Sequence, residues 1–196
     1  MLQRGIQCRV FVVLRKTSLQ GLPTSRHVTN IETMLETIET FFNSVKPEFK
    51  VCTVWFDGTS LGFQVQVIRK AAVVIAAHGA ALTNAAWLPK CGVLLELFPA
   101  LVWNHGMYKG LVQDVGGIYR SLASIRITDD AIGTAGCMEK HLAAYGESEI
   151  KRECTHDMEC SECSRNQNIT IDEKILLGKL TGAWEERIAC SRKDEE

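Results

Sequence analysis

The 196-residue sequence predicts an α/β fold, a Rossmann-like parallel sheet with helices on both faces. Several short runs are apolar at every position, not at alternate ones, which is typical of strands buried on both faces of a sheet. Between these runs lie segments whose apolar residues recur at helical spacing. The length suits one well-packed domain, alone or with a tail.

The first part of the chain contains two predicted strands with a predicted helix between them. Residues 8–14 are a short, β-branched apolar run, and residues 49–56 are a second run that ends in a turn. Asn30 is expected to be the N-cap of a helix over about residues 31–43. One face of this helix is apolar and consists of Met34, Leu35, Ile38, Phe41 and Phe42.

A second predicted helix and two further strands follow. Ser60 is expected to cap the helix. Residues 72–77 and 93–98 are continuous apolar runs, and each predicts a buried strand. Pro99 closes the second of them. The apolar positions of the helix are Leu61, Val65 and Ile68.

The composition changes after about residue 128. Residues 129–168 are polar, contain glycines and cysteines, and are expected to form a loop, whereas residues 172–190 return to a helical pattern. Asp172, or Thr170 together with Glu173, is expected to cap this last helix. We therefore predict a Rossmann-like domain over residues 1–128, with a cysteine-rich loop and C-terminal helix over residues 129–196 packed on the same domain.

Charge and hydropathy exclude some functions. With 22 basic and 23 acidic residues, the net charge is -1, which gives no electrostatic basis for binding nucleic acid or an anionic membrane. No stretch has the apolar length of a membrane span, and Met1 does not lead into a signal-peptide core. A targeting segment upstream of this sequence remains compatible with that pattern.

The cysteines indicate an oxidising compartment. Cys8, Cys52 and Cys91 lie in or beside apolar segments and are expected to be small buried residues. A polar segment dense in cysteine usually needs covalent cross-links. Asn168 begins a glycosylation sequon, which agrees with a secretory lumen. The predicted disulfide cysteines are Cys137, Cys154, Cys160, Cys163 and Cys190.

The tail cysteines have an alternative interpretation as a zinc site. Cys160 and Cys163 have zinc-ligand spacing, with Cys154 and His156 nearby. A second pair with the same spacing is missing, so disulfides are favoured and no metal is expected. The spacing does not determine which cysteines pair.

The segment AAHGAALTNAAWLP, residues 76–89, predicts an anion site. Open parallel sheets bind ligands at the carboxyl ends of their strands, where His78 and Gly79 lie. Gly79 would allow close approach to the backbone, and a helix starting at Ala80 would direct its positive end at a phosphate. Thr83 and Asn84 add hydrogen-bonding groups. The alternative is a histidine satisfied within a turn.

Glu96 is a carboxylate inside an apolar strand, so it needs a partner if it is buried. At a strand end it could bind a ribose diol, as carboxylates do in many nucleotide-binding sheets. A buried salt bridge, for example to Arg15, is the alternative.

These motifs resemble glycosyltransferase family 61, whose pattern is a strand, His-Gly-Ala-Gly-Leu-Thr-Asn, a short helix ending in Leu-Pro, and a strand ending in Glu-Leu-Phe-Pro. This chain has His78 to Asn84, then Leu88-Pro89, then Glu96 to Pro99 at matching spacing. The resemblance covers about residues 8–128, and less firmly the tail. It implies a nucleotide-sugar site formed by Arg15, Arg26, Asn30, Gln64, His78, Gly79, Ala80, Leu82, Thr83, Asn84 and Glu96.

The resemblance also implies a function. Such a chain would be the C-terminal, donor-binding half of a GT-B-type enzyme that transfers a sugar from a UDP-sugar to a glycan or glycoprotein acceptor. Inversion without a metal or other cofactor is expected, with Arg15, and Arg26 as a second candidate, at the diphosphate. The general base, the acceptor site and any membrane anchor would lie upstream, in a longer protein of the Golgi or endoplasmic reticulum.

The chain departs from the family pattern at Ala81, where the second glycine of the motif is expected. Ala72 and Ala76 also replace residues that are often Asp and Gly. An added methyl could narrow the phosphate loop, so an inactive nucleotide-sugar-binding pseudoenzyme is an alternative. An oxidoreductase is disfavoured, because no Gly-x-Gly-x-x-Gly motif follows the first strand.

Overall fold

The computed structural model describes residues 7–15, 26–101, 106–127, 136–154 and 156–193. It contains a five-stranded sheet in the order β2-β1-β3-β4-β5, and every strand pair is parallel. This confirms the predicted fold class. The strands are β1 (Gln7–Leu14), β2 (Phe49–Trp55), β3 (Val73–Ala77), β4 (Val93–Phe98) and β5 (Ile118–Ala123).

Six α-helices and one 3-10 helix surround the sheet in the described residues. The helix caps agree in part with the predictions: Ser60 accepts a hydrogen bond from the Phe63 amide, and Asp172 accepts one from the Ile175 amide. The helices are α1 (Ile31–Val45), α2 (Leu61–Lys70), the 3-10 helix (Ala80–Trp87), α3 (Gly106–Asp114), α4 (Cys137–Glu153), α5 (Met158–Arg165) and α6 (Glu173–Lys193).

The first face of the sheet packs against α1 and α6. The helical spacing of α1 buries Met34, Ile38 and Phe42, as predicted. Phe42 contacts Trp184 of α6 edge to face, with ring centroids 5.4 Å apart. Because α6 shares one hydrophobic cluster with the central strands, the C-terminal helix is part of the same core as the sheet.

The second face of the sheet packs against α2, the 3-10 helix and α3. Side chains of alternate strand positions, such as Val74 and Leu94, meet Ile68, Leu82 and Val112 there. Residues of a strand alternate between the two faces, so β3 and β4 are buried on both sides and lack a polar alternation.

The prediction of a loop over residues 129–168 is wrong where the structure describes it. α4 and α5 occupy most of residues 137–165, and α4 is interrupted at Gly146, where φ is +70°. The sequences of α4 and α5 have a weak helical pattern of apolar residues, because disulfide cysteines supply much of the small core beneath them, together with Met138 and Ile150.

All eight cysteines form disulfides: Cys8–Cys52, Cys91–Cys190, Cys137–Cys163 and Cys154–Cys160. The five tail cysteines were predicted to do so. Cys8, Cys52 and Cys91 were expected to be small buried residues. Cys91 is buried, but Cys8 is exposed and Cys52 is half-buried, and all three are in disulfides. No helix within the described residues is both long and apolar enough to cross a lipid bilayer.

Candidate functional site

The strand order puts a topological switch point at the carboxyl edge of the sheet, between the ends of β1 and β3, and we call this place the crevice. β1 and β3 are adjacent, and the chain leaves them in opposite directions across the sheet, to β2 and to β4. Open α/β sheets bind ligands at such a switch point. Arg15 follows β1, while His78 and Gly79 follow β3, so the structure brings these three predicted residues to the crevice.

His78 is fixed from several sides. Its Nδ1 lies 2.6 Å from Oε1 of Glu96, and its backbone N–H donates to the Leu97 carbonyl at 2.8 Å. The imidazole stacks on Phe98 at a centroid distance of 5.0 Å and also contacts Tyr108. The side chain is 11% exposed. His78 is therefore largely buried, with its orientation set by Glu96.

Glu96 is fully buried, and both of its oxygens are used by neighbouring side chains. Oε1 pairs with His78, and Oε2 accepts a hydrogen bond of 2.6 Å from the Tyr119 hydroxyl. Burial, followed by this hydrogen bond, raises the pKa of Tyr119 well above its usual value. His78 and Tyr119 thus take the place of the alternative partner Arg15. Direct binding of a ribose to Glu96, which was expected, would have to displace one of these two bonds.

Two guanidinium groups converge on Gly79. A Cβ built on this glycine would overlap Nη2 of Arg15 and lie 3.3 Å from Nη1 of Arg26. The same Nη1 of Arg26 donates to the His78 carbonyl at 2.8 Å. The space that Gly79 leaves open is therefore filled by arginine side chains, and any side chain there would displace at least the Arg15 guanidinium.

The arginines form a concentrated positive charge. Burial first, and then the charges of Arg15 and Arg165, lower the pKa of Arg26 to about 10. Burial also lowers the pKa of Arg15, an effect that Asp57 partly opposes. Since like charges raise the free energy of the charged state, an anion between these groups would be stabilised.

The 3-10 helix begins beside this cluster. Ala80 is exposed at its first position, and the Leu82 amide donates to the Gly79 carbonyl at 2.9 Å. Thr83 is exposed and donates to the Ala80 carbonyl. The side chains of Ala81 and Leu82 pack into the apolar cluster below, so the side chain of Leu82 does not face the crevice. The methyl group of Ala81 likewise fills apolar space.

Gln64 and Asn84, both predicted ligand residues, bond to each other. The Asn84 amide donates to Oε1 of Gln64 at 2.8 Å and to the Ala81 carbonyl at 3.0 Å. The amide of Gln64 donates to the carbonyls of Phe56 and Thr59. This network ties the 3-10 helix to α2 and to the end of β2, so these amides support the crevice.

Asn30 is at the N-cap position of α1 but makes no side-chain cap. Its amide group donates to the Ile171 carbonyl at 2.8 Å, and its Oδ1 accepts from the Ile171 amide at 3.0 Å. The Asn30 side chain, which was expected to bind the ligand directly, therefore binds the backbone of the C-terminal segment at Ile171.

Asn168 is buried, with 4% of its surface exposed, and its Oδ1 accepts from the His27 amide at 3.1 Å. A glycan on this side chain would have to leave the protein through packed residues. Glycosylation of Asn168, which the sequon predicts, would therefore require this side chain to leave its buried position.

Sequence reasoning missed four residues beside the crevice. Phe98 is two positions after Glu96, a spacing that indicates the same face of a strand. Tyr119 lies on β5, for which no strand was predicted, and Arg165 ends a helix within the segment expected to be a loop. Tyr108 lies on α3 and contacts His78. Of these four residues, only Phe98 could have been identified from the sequence, by its spacing from Glu96.

The zinc alternative lacks thiolates, because Cys154, Cys160 and Cys163 are in disulfides. Among the described residues, Cys137, His141 and Cys163 are a group with ligand atoms within 4.8 Å of one another. Two of these atoms are the sulfurs of one disulfide, which leaves His141 as the one conventional ligand in that group.

A positively charged crevice at the switch point of a parallel sheet is typical of α/β enzymes that bind phosphorylated ligands. The family model described as Glycosyltransferase 61 matches residues 2–95, a range that includes Arg15, Arg26 and the His78-Gly79 segment. This match supports membership of the chain in glycosyltransferase family 61, and with it the glycosyltransferase class. No curated protein sequence matches the chain.

Proposed function

We propose that this chain binds the diphosphate of a nucleotide-sugar donor, a UDP-sugar, in the crevice between β1 and β3. The sugar is then transferred to a glycan or glycoprotein acceptor with inversion and without a metal ion. The convergence of the Arg15 and Arg26 guanidinium groups on Gly79 is the observation that carries this proposal.

The arginines act on the departing diphosphate. As the bond from the sugar C1 to the phosphate oxygen breaks, negative charge grows on the diphosphate, and positive groups held in place beforehand stabilise it. Guanidinium groups can donate two parallel hydrogen bonds to phosphate oxygens. In this proposal they supply the positive charge that a divalent cation supplies in metal-dependent enzymes.

Glu96 and Tyr119 act through His78. A carboxylate only accepts hydrogen bonds, so its contact of 2.6 Å fixes a proton on Nδ1 of His78. Nε2 is then left as the nitrogen that can exchange a proton with a ligand. We propose that His78 contacts a phosphoryl or sugar oxygen through Nε2, with Glu96 as a positioning residue.

We propose a secretory lumen, Golgi or endoplasmic reticulum, as the working compartment. Four disulfides that link both the sheet and the tail require oxidising conditions to form. Glycan and glycoprotein acceptors are present in the same compartments.

Titration with UDP tests the proposal. The 196-residue chain, made under oxidising conditions and checked for folding by circular dichroism, is titrated by calorimetry with and without EDTA. We expect saturable binding that EDTA does not change. Arg15→Ala and Arg26→Ala should each weaken it about tenfold or more, since a hydrogen bond to a charged group contributes about 1.5–3 kcal/mol.

Arg69→Ala is the matched control. Arg69 is in the last turn of α2, which precedes β3 and therefore lies at the amino edge of the sheet, opposite the crevice. Its loss should leave UDP binding unchanged. If the folded chain shows no saturable UDP binding, the proposed function is refuted.

A further inference from the structure

The segment after α5 pairs with the backbone around Arg26. Val28 and Ile169 form a parallel bridge, and the Arg26 amide donates to the Gln167 carbonyl at 3.2 Å. The Thr29 amide donates to the Ile169 carbonyl, and the Ile169 amide donates to the His27 carbonyl, both at 2.8 Å. The C-terminal tail therefore holds the loop that presents Arg26 to the crevice.

This pairing supports an uncommon backbone conformation at Arg26, whose φ is +64°. Residues other than glycine adopt such angles infrequently, and they keep them when the surrounding structure imposes them. The hydrogen bond to Gln167 and the bridge at Val28 provide that constraint. The direction of the Arg26 side chain thus depends on the tail.

The same pairing brings Arg165 to the crevice. Arg165 is the last residue of α5, two positions before Gln167, and its side chain is exposed. Its charge lowers the pKa of Arg26, after the larger effects of burial and of Arg15. α5 is itself held by two disulfides, Cys137–Cys163 and Cys154–Cys160. A third arginine, on a covalently fixed helix, therefore lies within electrostatic range of Arg26.

We propose that Arg165 is a third phosphate-binding residue of the donor site, contributed by the cysteine-rich tail. This inference rests on the proposed function, because it assigns a further residue to the same diphosphate. Clustered arginines repel one another, and a diphosphate bound between them reduces that repulsion. Arg165 is exposed whereas Arg26 is half-buried, so the Arg165 side chain is accessible to a phosphate.

The test compares Arg165→Ala, Arg165→Lys and the control Arg69→Ala in the complete, disulfide-bonded chain. Each is titrated with UDP, with inorganic pyrophosphate and with uridine. We expect Arg165→Ala to weaken UDP and pyrophosphate binding roughly tenfold. Lysine should restore a large part of it, since it keeps the charge, and uridine binding should change in none of the variants.

The outcomes separate this inference from the proposed function. If the wild-type chain binds UDP and Arg165→Ala binds it equally well, the role of Arg165 is refuted and the donor site stands. If the wild-type chain binds pyrophosphate but not UDP, the proposed function fails, and pyrophosphate titration of the variants still decides the role of Arg165. If the wild-type chain binds neither probe, both fail.

A structural role for Arg165 would give a different result. In that case alanine and lysine variants would lose affinity alike, uridine binding would fall with the rest, and the melting temperature would drop. That pattern would overturn the assignment of Arg165 as a phosphate ligand.

Discussion

Tyr119→Phe tests the hydrogen-bond chain behind His78. The substitution removes one hydroxyl and leaves Oε2 of the fully buried Glu96 without the donor that now lies 2.6 Å away. Hydrogen bonds to charged groups contribute about 1.5–3 kcal/mol, and a buried acceptor cannot recover the loss from water. We expect unfolding to become easier by about 2 kcal/mol, or about 4–8 °C in melting temperature for a chain of this size.

The assay is urea unfolding with the disulfides intact, followed by tryptophan fluorescence. The midpoint should fall while the slope stays constant, since the exposed surface does not change. In a Glu96→Gln background the acceptor is neutral, so the same removal should cost only about 1 kcal/mol. The difference between the two backgrounds measures the charge-assisted part of the bond.

Tyr108→Phe is the matched control, because Tyr108 lies on the same side of the sheet and contacts His78. Its hydroxyl does not bond to Glu96 in the part of the chain that the structure describes. The reasoning is refuted if Tyr119→Phe stays within about 0.5 kcal/mol of the wild type, or if its cost is equal in both backgrounds.

Three further predictions follow from the site. High pH should lower the free energy of unfolding through Tyr119. Its pKa is raised above the ordinary value of 10, so its stabilising contribution is complete below pH 10 and declines as the pH rises from there. Tyr119→Phe should show a smaller decline in alkaline unfolding curves. Asn30→Ala should destabilise the fold by about 1–3 kcal/mol, because it removes both hydrogen bonds to Ile171, whereas Asn30→Asp should keep one of them. Equal melting temperatures for wild type and Asn30→Ala would contradict a stabilising role of these two bonds. Asn168→Gln should leave the mass of protein secreted from eukaryotic cells unchanged apart from the substitution, since the side chain is buried, and a mass loss the size of a glycan would show the burial to be wrong.

The order of the central strands and helices could be predicted because their hydrophobic patterns are local. α1 has four buried positions at helical spacing, and β4 is buried at every position, so each pattern specifies its own element. The short β5 was missed. α4 and α5 were mistaken for a loop, because their core is built from disulfides and few apolar side chains.

The place of the crevice could be predicted, but not the partner of each polar residue. His78 and Gly79 follow an apolar strand, and the carboxyl end of such a strand is the expected edge. The partner of Asn84 is 20 residues away in sequence, and that of Asn30 is 141 residues away. A motif shows that a side chain is polar, but only the packed chain shows whether it is used by a ligand or by another amide.

Glu96 illustrates this difference. The cost of burying a carboxylate required a partner, and that argument was correct. From the sequence, a ribose was the favoured partner and Arg15 the alternative. The choice of His78 and Tyr119 depends on β3 and β5 being the two neighbours of β4, which is a property of the whole sheet.

The Cys91–Cys190 bond joins positions 99 residues apart and encloses β4, α3, β5, α4 and α5. A peptide bond cut anywhere inside this ring leaves one covalent molecule, which separates into two pieces only after a reducing agent is added. In the chain-entropy picture, the uncut ring of about 100 residues disfavours the unfolded state by about 4.7 kcal/mol, and a cut inside it removes this contribution while the pieces stay linked. After limited proteolysis within the ring, Arg15 and Arg26, which precede Cys91, should therefore stay covalently linked to Arg165, which lies inside the ring, until a reducing agent is added.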